Sequence, residues 1–599
     1  SAYVAKVEKD KCVACGRCVE VCPAGAAKLG QKLCSKKAGG QVPEYPRQEL
    51  PDATKWDHTK WSPNYRNDNR IETHESGTAP CKTACPAHVA VQGYLKLAAQ
   101  GRYDEALALI KRENPLPAIC GRVCNRRCED ACTRGRVDAA VAIDEVKKFI
   151  AQRDLDAATR YVPPVVTPTR AGGFDQKIAI IGAGPAGLSC AFYLAEKGYK
   201  PVVFEKNERP GGMLTYGIPS FKLQKDVIEA EVEIIRLMGA EFRYGVEVGR
   251  DVTLDELRTQ GFKAFYVAIG CQGGRLAGIP GEDAEDVTVA VDFLREVNSG
   301  KIDALPGRTI VVGGGNVAID VARNACRLGS EHVEMFCLES EAQMPASEEE
   351  RREAIEDGAH ISCGWGPKEV HLDEAGRVCG ITFKRCTRVF DDEGRFAPEY
   401  DENNLRRVDA DRVVMSIGQS IVWGDLLAGS KVELGRGQGA LADPQTYQTA
   451  EPDIFVGGDV YTGPSFAIDA IAAGHEAAVS IHRFVQPGST LTIGRNQRRY
   501  TALDRDDVVI ESYDNASREV AHVDRKREKA APFSEYVETF TEEQVRAETA
   551  RCLGCGASIV DPNKCIGCGL CTTKCAFDAI HLDRDRPECS TMVKYEQKL

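Results

Sequence analysis

Two runs of cysteines, one near each end of the chain, have the spacing of bacterial ferredoxins. The N-terminal run is spaced C-x2-C-x2-C-x3-C-P and comprises Cys12, Cys15, Cys18 and Cys22. The C-terminal run comprises Cys565, Cys568, Cys571 and Cys575. Tight loops in such a run direct three thiolates at one iron–sulfur cube, and the fourth cysteine usually serves a second cluster. The spacing therefore predicts [4Fe–4S] clusters at both ends. It disfavours zinc, which usually takes two C-x2-C pairs separated by a longer loop.

The ligand count at each end leaves alternatives open. A ferredoxin domain should repeat its run soon after the first, but only Cys34 follows the N-terminal run, either as the ligand that completes the cube or as a free thiol. At the C-terminal end, Cys552 and Cys555 form a further C-x2-C, which allows a second cluster there. Two clusters need about eight ligands. Because Cys589 raises the number of cysteines in this segment only to seven, one ligand would have to come from elsewhere.

The glycines at 182–187 predict a dinucleotide site. The sequence Lys177–Lys206 gives a β-branched strand, the turn GAGPAG, a helical pattern and a second strand that ends in Glu205. In this βαβ pattern Gly182 permits the tight turn, Gly184 lets the backbone approach the pyrophosphate, and Gly187 lets helix and strand pack closely. The helix N-terminus supplies donors for phosphates, and Glu205 can accept hydrogen bonds from ribose hydroxyls.

Composition limits the class of protein. The 599 residues predict more than two domains. The net charge of −12 argues against nucleic acid as a partner, because phosphate binding needs a basic face. No apolar run approaches the length needed to span a bilayer, and the first ten residues lack the apolar region of a signal peptide. We therefore expect a cytoplasmic protein without membrane insertion. The chain has 25 cysteines, and we interpret those that fall in short, regular clusters as metal ligands in a reducing compartment.

A third set of cysteines lies in a segment whose periodicity over Val89–Lys111 predicts helices. It comprises Cys81, Cys85, Cys120, Cys124, Cys128 and Cys132. The stretches CKTACPAHV, NPLPAICGRVCNRRCEDAC and VAIDEVKKFI resemble the N-terminal cluster domain of the glutamate synthase small subunit. That domain is also found in dihydropyrimidine dehydrogenase and in NAD(P)H:ferredoxin oxidoreductases. The resemblance covers about Cys81–Phe484 and implies two [4Fe–4S] clusters next to an FAD domain.

Carried over by position, the resemblance implies that Cys81 and Cys132 bind one of these clusters. The other would use Cys85, Cys124 and Cys128, with Cys120 not ligating. The chain departs from the family twice. A cysteine pair just upstream of Cys81 is missing, and the glutamine or glutamate that completes the second cluster is replaced by Lys147, whose ammonium cannot ligate. One family cluster is therefore absent, moved, or completed by Cys120, Cys34 or another residue.

The resemblance also implies that the first fingerprint binds FAD. The strand at 266–270 closes the FAD fold, and Asp459 bonds the ribityl chain; Asp459 as a helix cap is compatible with that role. The residues expected at FAD are Gly182, Gly184, Pro185, Ala186, Gly187, Glu205, Lys206, Gly211, Gly212, Met213, Leu214, Gly217, Ile218, Pro219, Gly270, Gly458 and Asp459.

A second fingerprint of the GxGxxA type follows at 307–336. Its expected contacts with a nicotinamide nucleotide are Gly313, Gly315, Asn316, Val317, Ala318 and Glu339. NADPH-using members of the family carry adjacent arginines after the second strand, whereas this chain has Glu339. An acid there accepts from the ribose 2′-OH and repels a 2′-phosphate, so we predict NAD(H). The alternative is that Glu339 is a solvated turn residue and the phosphate site lies elsewhere.

The predicted fold is α/β. It has two nested Rossmann-like dinucleotide-binding domains, preceded by a small α-helical iron–sulfur domain and flanked by ferredoxin-like α+β cluster segments. The charged segment before the C-terminal cysteines is either a partner-facing arm or a solvated connector. The predicted divisions are a cluster segment (1–40), a linker (41–80) held by Trp56 and Trp61, the helical domain (81–165), the FAD domain (172–290 and 425–490), the NAD domain (291–424), the charged arm (491–545) and the C-terminal cluster domain (546–599).

These features together predict an electron-transfer flavoprotein with FAD, NAD(H) and about three to four [4Fe–4S] clusters. We expect a subunit of a redox complex that uses ferredoxin or a similar low-potential carrier, and an electron-bifurcating complex is one form that this could take. The alternatives are the electron-input subunit of a glutamate synthase and a non-catalytic cluster scaffold. A disulfide reductase needs a cysteine pair near the flavin, and Cys190 and Cys271 are single. The remaining mid-chain cysteines lack cluster spacing and are interpreted as buried thiols: Cys326, Cys337, Cys363, Cys379 and Cys386.

Overall fold

The computed structural model describes residues 3–32, 73–74, 77–165, 173–506, 513–561 and 564–584. Cys34, Cys589, Trp56 and Trp61 lie outside the described residues. The predictions that Cys34 is a cluster ligand and that the tryptophans hold the linker therefore remain predictions.

The first α/β domain is a parallel sheet of five strands made from two separate stretches of chain. Ile178–Ile181, at its centre, is fully buried, because helices cover both faces of a parallel sheet. The strand order is Ile454–Val456, Phe262–Val267, Lys177–Ile181, Val202–Glu205 and Glu241–Tyr244. The helices are Pro185–Glu196, Met213–Tyr216, Lys225–Leu237, Leu254–Thr259, Asp459–Thr462 and Ala467–Val485.

The second α/β domain is inserted between those two stretches. Its sheet is also parallel, and a three-stranded antiparallel sheet packs beside it. The chain enters this sheet at residue 287, slightly before the predicted boundary at 290. The parallel order is Val287–Val289, Arg412–Met415, Arg308–Val312, His332–Cys337 and His360–Cys363. The antiparallel strands are Trp365–Leu372, Val378–Phe390 and Phe396–Val408, and the helices are Ala290–Asn298, Asn316–Arg327 and Glu348–Glu356.

The helical domain carries the third cysteine set. The helical pattern predicted over Val89–Lys111 is interrupted where Gly101 adopts a φ of +71°, which gives two helices that pack against each other instead of one. Leu95, Leu97 and Ile110 are buried in the core that this domain shares with the first α/β domain. The α-helices are Pro80–Thr83, Val91–Ala99, Tyr103–Lys111, Pro117–Val123, Arg127–Asp130 and Ile143–Ala151, with 3-10 turns at Thr133–Arg136 and Gln152–Asp154.

The two terminal cysteine runs, which were placed in separate domains from the sequence, form one ferredoxin-like body. Strand Tyr3–Val7 pairs antiparallel with Ile580–Arg584, and Ala27–Leu29 pairs antiparallel with Ser558–Val560. The short helices Arg17–Glu20 and Leu570–Lys574 complete it. The repeat that seemed to be missing after the N-terminal run is therefore supplied by the other end of the chain. The short strands Gln31–Lys32 and Thr73–His74 also pair.

The charged segment 513–550 packs along the molecule as a strap, rather than forming a solvated connector. The carboxylate of Glu535 pairs with Arg122 at 3.1 Å and with Lys148 at 2.7 Å in the helical domain. The next residue, Tyr536, accepts a hydrogen bond of 2.6 Å from Arg323 in the second α/β domain. The strap includes the helices Arg525–Ala530 and Glu542–Ala550 and leads directly to Cys552. Neighbouring residues of the strap thus hold two domains together.

No helix in the described ranges is long and apolar enough to cross a membrane.

Candidate cofactor sites

The turn of the first fingerprint has the geometry that its glycines predict. Gly182 has a φ of +104°, and a Cβ there would lie 2.5 Å from the carbonyl oxygen of Ala268. A Cβ on Gly187 would lie 2.0 Å from the carbonyl oxygen of Gly182, so helix and strand approach too closely for any side chain. A Cβ on Gly184, in contrast, would meet nothing within 4 Å. The backbone of Gly184 is therefore open to a ligand at the N-terminus of helix Pro185–Glu196.

Glu205 has a structural role as well as the predicted binding role. Its carboxylate is 2% exposed and accepts hydrogen bonds from the backbone N–H of Ala183, at 2.8 Å, and of Asn207, at 2.9 Å. The first bond fixes the fingerprint turn against the end of the strand. Because each carboxylate oxygen accepts more than one hydrogen bond, lone pairs remain for a ribose hydroxyl.

Two cavities meet at this turn. They share Gly182, Glu205 and Gly270. The smaller one is also lined by Lys206 and Trp423. The larger one is lined by these predicted residues: Gly182, Gly184, Pro185, Ala186, Glu205, Gly212, Met213, Leu214, Gly217, Ile218, Gly270, Gly458, Asp459 and, from the second fingerprint, Val317.

Three residues predicted to contact the flavin line neither cavity: Gly187, Gly211 and Pro219. Gly211 has a φ of +106° and donates its N–H to the carbonyl oxygen of Ala183 at 2.8 Å. Pro219 accepts the backbone N–H of Lys222 at 3.0 Å. Gly211 and Pro219 therefore shape the chain around helix Met213–Tyr216, and Gly187 packs its own helix against the strand.

Asp459 lies at the opposite wall, where the chain returns to the first α/β domain. Burial raises the pKa of its carboxyl to about 6, and the backbone N–H of Ser465 donates to it at 3.2 Å. The helix Ala467–Val485 begins beside it, and Phe466, its N-cap residue, also lines the cavity. The helix dipole places a partial positive charge at this N-terminus, next to the cavity.

The second fingerprint repeats the same construction. Gly313 has a φ of +143°, and a Cβ there would lie 2.3 Å from the carbonyl oxygen of Ser416. Gly315 opens into free space at the N-terminus of helix Asn316–Arg327, in which Ala318 is buried. The Asn316 side chain accepts the N–H of Ser347 at 3.3 Å and so holds the covering loop.

Glu339 faces the turn of this second fingerprint. It is half-buried, and a Cβ on Gly314 would lie 3.0 Å from its Oε2. One cation of the same region, Arg351, was not singled out from the sequence. Its guanidinium donates to the carbonyl oxygen of Glu341 at 2.7 Å. The acid, and not this arginine, therefore occupies the position next to the fingerprint.

Ion pairs join the two α/β domains at the larger cavity. Lys222 of the first domain pairs with Asp320 at 2.6 Å and also contacts Glu350, both of the second domain. Burial raises the pKa of Asp320 to about 6, and the charge of Lys222 acts against that rise. Asp320 lines the larger cavity and was missed from the sequence, because an acid inside a helix of ordinary pattern gives no signal.

We predict that Lys222→Met slows reduction of the bound flavin by NADH about tenfold, equivalent to about 1.4 kcal/mol in the barrier. Without the ammonium, Asp320 and Glu350 are left as unpaired carboxylates and no longer hold the nucleotide helix against the flavin loop. Stopped-flow absorbance of the flavin would measure the rate. Lys200→Met, at an exposed site on the same domain, is the control. Equal rates in both variants would contradict the role of Lys222.

The ferredoxin-like body brings the cysteines of the two runs together in crossed sets. One small cavity is lined by Cys12, Cys15, Cys18 and, from the other end of the chain, Cys575. In the second set, burial raises the pKa of the Cys571 thiol, and the neighbouring thiols of Cys565, Cys22 and Cys568 act in the same direction. Backbone N–H groups donate to the sulfurs, as from Ala26 to Cys22 at 3.2 Å and from Ala579 to Cys575 at 3.4 Å.

A further cavity joins the helical domain to the C-terminal segment. It is lined by Cys81, Cys132, Cys552 and Cys555. Arg551, which is 1% exposed, pairs with Glu548 at 2.6 Å and Asp138 at 3.0 Å and thereby fixes the chain just before Cys552. Thr133 lines the same cavity as Cys555. Cys552 and Cys555 thus lie in one cavity with Cys81 and Cys132, although the two pairs are far apart in the sequence.

The other family set lies beside a buried cation. Burial raises the pKa of Cys128, with the Lys147 charge opposing this effect and the thiols of Cys85 and Cys124 reinforcing it. Burial alone would lower the pKa of Lys147, but the carboxylate of Asp144 and the Cys124 and Cys120 thiols hold it well above its ordinary value. Lys147 and Asp144 form an ion pair in this interior. Four cysteines, Cys85, Cys120, Cys124 and Cys128, and an ammonium meet here, and the ammonium cannot act as a ligand.

The chain has the fold and motifs of a pyridine-nucleotide-dependent flavoprotein with iron–sulfur segments. Residues 176–474 match the pyridine nucleotide-disulphide oxidoreductase family. Residues 72–159 match the 4Fe-4S cluster domain II of dihydropyrimidine dehydrogenase, and residues 5–28 and 558–581 match the 4Fe-4S binding domain. These matches confirm that nucleotide-binding and cluster-binding segments are combined in one chain.

The chain belongs to the family of the glutamate synthase small chain. It is 35% identical over 431 residues to the Escherichia coli NADPH glutamate synthase small chain, covering 68% of this chain and 89% of that one. It is 35% identical over 513 residues to the NADP(+)-dependent formate dehydrogenase subunit beta of Moorella thermoacetica, covering 80% of this chain and 70% of that one. The family resemblance is thereby confirmed, and the chain is an NAD(P)H-dependent FAD and iron–sulfur oxidoreductase.

The Geobacter sulfurreducens NADPH-Fe(3+) oxidoreductase subunit beta is 32% identical over 517 residues, covering 80% of this chain and 75% of that one. Among solved structures, FprA from Mycobacterium tuberculosis in complex with NADPH has a TM-score of 0.44 and 20% identity, covering 52% of this chain and 84% of that chain.

We predict that Glu205→Ala leaves the purified chain with less than about one fifth of its FAD. The change removes the acceptor of the buried Ala183 N–H at the fingerprint turn and of the half-buried Asn207 N–H after the strand. A buried N–H left unsatisfied costs about 1–3 kcal/mol. The flavin-to-protein absorbance ratio measures this loss. Glu208→Ala, at an exposed acid in the following loop, is the control. Full FAD content in Glu205→Ala would show that the carboxylate is dispensable.

Proposed function

We propose that this chain is the NADH-linked electron-transfer subunit of a redox complex, with FAD between the nucleotide and the clusters. The observation that carries the proposal is the larger cavity. Val317 and Asp320 of the second fingerprint helix line the same cavity as Met213 and Gly458 of the first domain. A nicotinamide held by the second domain would therefore lie against a flavin held by the first.

A bound flavin accepts two electrons together from a nicotinamide and releases them singly, which suits iron–sulfur acceptors. The protein supplies position and exclusion of water. Gly182 and Gly184 bring the backbone to the phosphates, and Glu205 holds the turn. Lys222 ties the nucleotide helix to the flavin loop through Asp320. Hydride transfer between a nicotinamide and a flavin needs no acid–base side chain, so none is assigned.

The proposed clusters follow from the cysteine sets. In the ferredoxin-like body, one set is Cys12, Cys15, Cys18 and Cys575, and the other is Cys565, Cys568, Cys571 and Cys22. This exchange of the fourth ligand is the arrangement of two-cluster ferredoxins. A third cluster fits Cys81, Cys132, Cys552 and Cys555. Cys85, Cys124 and Cys128 supply three thiolates, and Cys120, the other thiol beside Lys147, is the candidate for the fourth ligand. Three sets of four cysteines are therefore proposed as clusters, and this set is the candidate for a fourth cluster.

The proposed preference for NAD(H) rests on Glu339. Its carboxylate faces the second fingerprint, where it would accept from a ribose 2′-OH and repel a 2′-phosphate. The names of the formate dehydrogenase and Geobacter relatives refer to NADP or NADPH. The proposal therefore separates this chain from those relatives in nucleotide preference.

Partner subunits are proposed because relatives are named as subunits of redox complexes. The ferredoxin-like body also presents an exposed apolar edge beside the cysteine set that contains Cys568. Cys568 is exposed, Ile566 is 58% exposed and Leu570 is 44% exposed. An electron carrier such as ferredoxin would reach the cluster by this edge. The second candidate, the electron-input subunit of a glutamate synthase, is favoured by the 89% coverage of that small chain.

The proposal is tested by anaerobic diaphorase assays on the purified chain, with NADH as donor and an artificial dye as acceptor. We expect turnover with NADH, and reduction of added ferredoxin only when the ferredoxin-like body is intact. Cys568→Ala should keep dye reduction and lose ferredoxin reduction. Absence of dye reduction by a chain that contains FAD would favour the scaffold alternative. Glutamate formation after addition of a glutamate synthase large subunit would favour the second candidate.

A further inference from the structure

A pair of thiols lies directly behind the second fingerprint. Cys337 ends strand His332–Cys337 and Cys363 ends the neighbouring strand His360–Cys363, and the two residues are in register. Their sulfur atoms are 3.7 Å apart. Directly paired Cα atoms of neighbouring strands are about 4.8 Å apart. This spacing lies within the range of about 4.4–6.8 Å that a disulfide spans.

The pair lies next to the nucleotide site, both along the chain and in space. Glu339 follows Cys337 by two residues, and the Cys337 thiol contacts the Glu339 carbonyl oxygen at 3.7 Å. A Cβ on Gly314 would lie 2.9 Å from the Cβ of Cys337 and 3.0 Å from the Glu339 carboxylate. Movement of Cys337 therefore moves the end of the strand that presents Glu339 to the fingerprint turn.

One of the two thiols is accessible. Cys363 is half-buried, whereas Cys337 is 2% exposed. Neither residue has cluster spacing, and neither contributes to the proposed electron path. An attack on an external disulfide would therefore begin at Cys363, and Cys337 would resolve the mixed disulfide from the interior.

We propose that Cys337 and Cys363 form a reversible disulfide that weakens binding of the nicotinamide nucleotide. With a small-molecule disulfide as oxidant, the Cys363 thiolate displaces one thiol of the oxidant and forms a mixed disulfide. The Cys337 sulfur then displaces the second thiol and gives up its proton. Two protein thiols are oxidised and one external disulfide is reduced to two thiols. Closure from 3.7 Å to about 2.0 Å draws the strand ends together and displaces Glu339.

The test uses the full chain with its cofactors, incubated anaerobically with glutathione disulfide, then alkylated and digested without reductant. We expect a peptide that links Cys337 to Cys363, which dithiothreitol removes. Cys363→Ser should abolish this peptide, while Cys379→Ser, at a half-buried thiol of the antiparallel sheet, should leave it intact. Cys337→Ser should abolish the linked peptide as well, so the test can still be made if one of these two variants fails to fold.

The nucleotide effect is measured in the same samples. We expect oxidation to raise the KM for NADH at least about threefold in the wild type, which is equivalent to about 0.65 kcal/mol. Oxidation should leave the KM of Cys363→Ser unchanged. Absence of the linked peptide would overturn the proposal, and a linked peptide with an unchanged KM would overturn its effect on nucleotide binding. The KM arm rests on the proposed function. If the chain does not oxidise NADH, the peptide arm still decides whether the two thiols pair.

Discussion

Replacing Cys552 and Cys555 by serine is expected to remove one whole cluster, about four iron atoms per chain. These two cysteines are separated by more than 400 residues of sequence from Cys81 and Cys132, yet all four line one cavity. Burial raises the pKa of the Cys552 thiol to about 11, so the thiolate form depends on iron to replace its proton. Half of the ligands would be lost, and serine would not replace them.

Iron and sulfide analysis would measure this loss, together with electron paramagnetic resonance of the dithionite-reduced protein. The matched control is Cys326→Ser with Cys379→Ser, which also removes two thiols but none from a proposed set. FAD content should be unchanged in both variants, because Arg551 still anchors the segment to Asp138 and Glu548. An unchanged iron content in the Cys552 and Cys555 variant would contradict the proposed cluster.

Exchanging Glu339 for arginine is expected to shift the ratio of kcat/KM for NADPH over NADH by about 10- to 100-fold. The change removes an acceptor for the ribose 2′-OH and introduces a donor for the 2′-phosphate. A hydrogen bond to a charged group contributes about 1.5–3 kcal/mol, and every 1.4 kcal/mol is about tenfold in affinity. Steady-state kinetics with both nucleotides and a dye acceptor would measure the ratio.

Glu341→Arg is the control for this exchange. It makes the same charge change two residues further along, at an exposed position in a short 3-10 turn. Only Glu339 faces Gly314, so only its exchange should change the ratio markedly. If both exchanges move the ratio equally, the effect is one of general charge, and the preference does not arise from Glu339.

Features that depend on neighbouring residues could be predicted from the sequence. The glycines of the first fingerprint and Glu205 belong to one βαβ unit, and the glycines of the second fingerprint and Glu339 belong to another. Local backbone sterics set their geometry, as the φ of +104° at Gly182 shows. The ferredoxin runs were recognised for the same reason, since each contains three cysteines of one set.

Features that depend on distant segments could not be predicted in this way. Nothing in either cysteine run indicates that Cys575 joins the first set or that Cys22 joins the second. The charged segment gave no apolar pattern, because its contacts with the other domains are largely polar, such as that of Glu535 with Arg122 and Lys148. Asp320 was missed because its partner, Lys222, belongs to the other α/β domain.

The central claim is that electrons pass from NADH through the flavin to clusters within this one chain. It is tested most directly by anaerobic titration with NADH, following flavin absorbance and the paramagnetic resonance of the clusters in the same samples. We predict that NADH bleaches the flavin much faster than NADPH does, and that reduced-cluster signals follow. In the Cys552 and Cys555 variant the flavin should still bleach, with one cluster signal absent. Bleaching of the flavin with no cluster signal in the wild type would contradict the account.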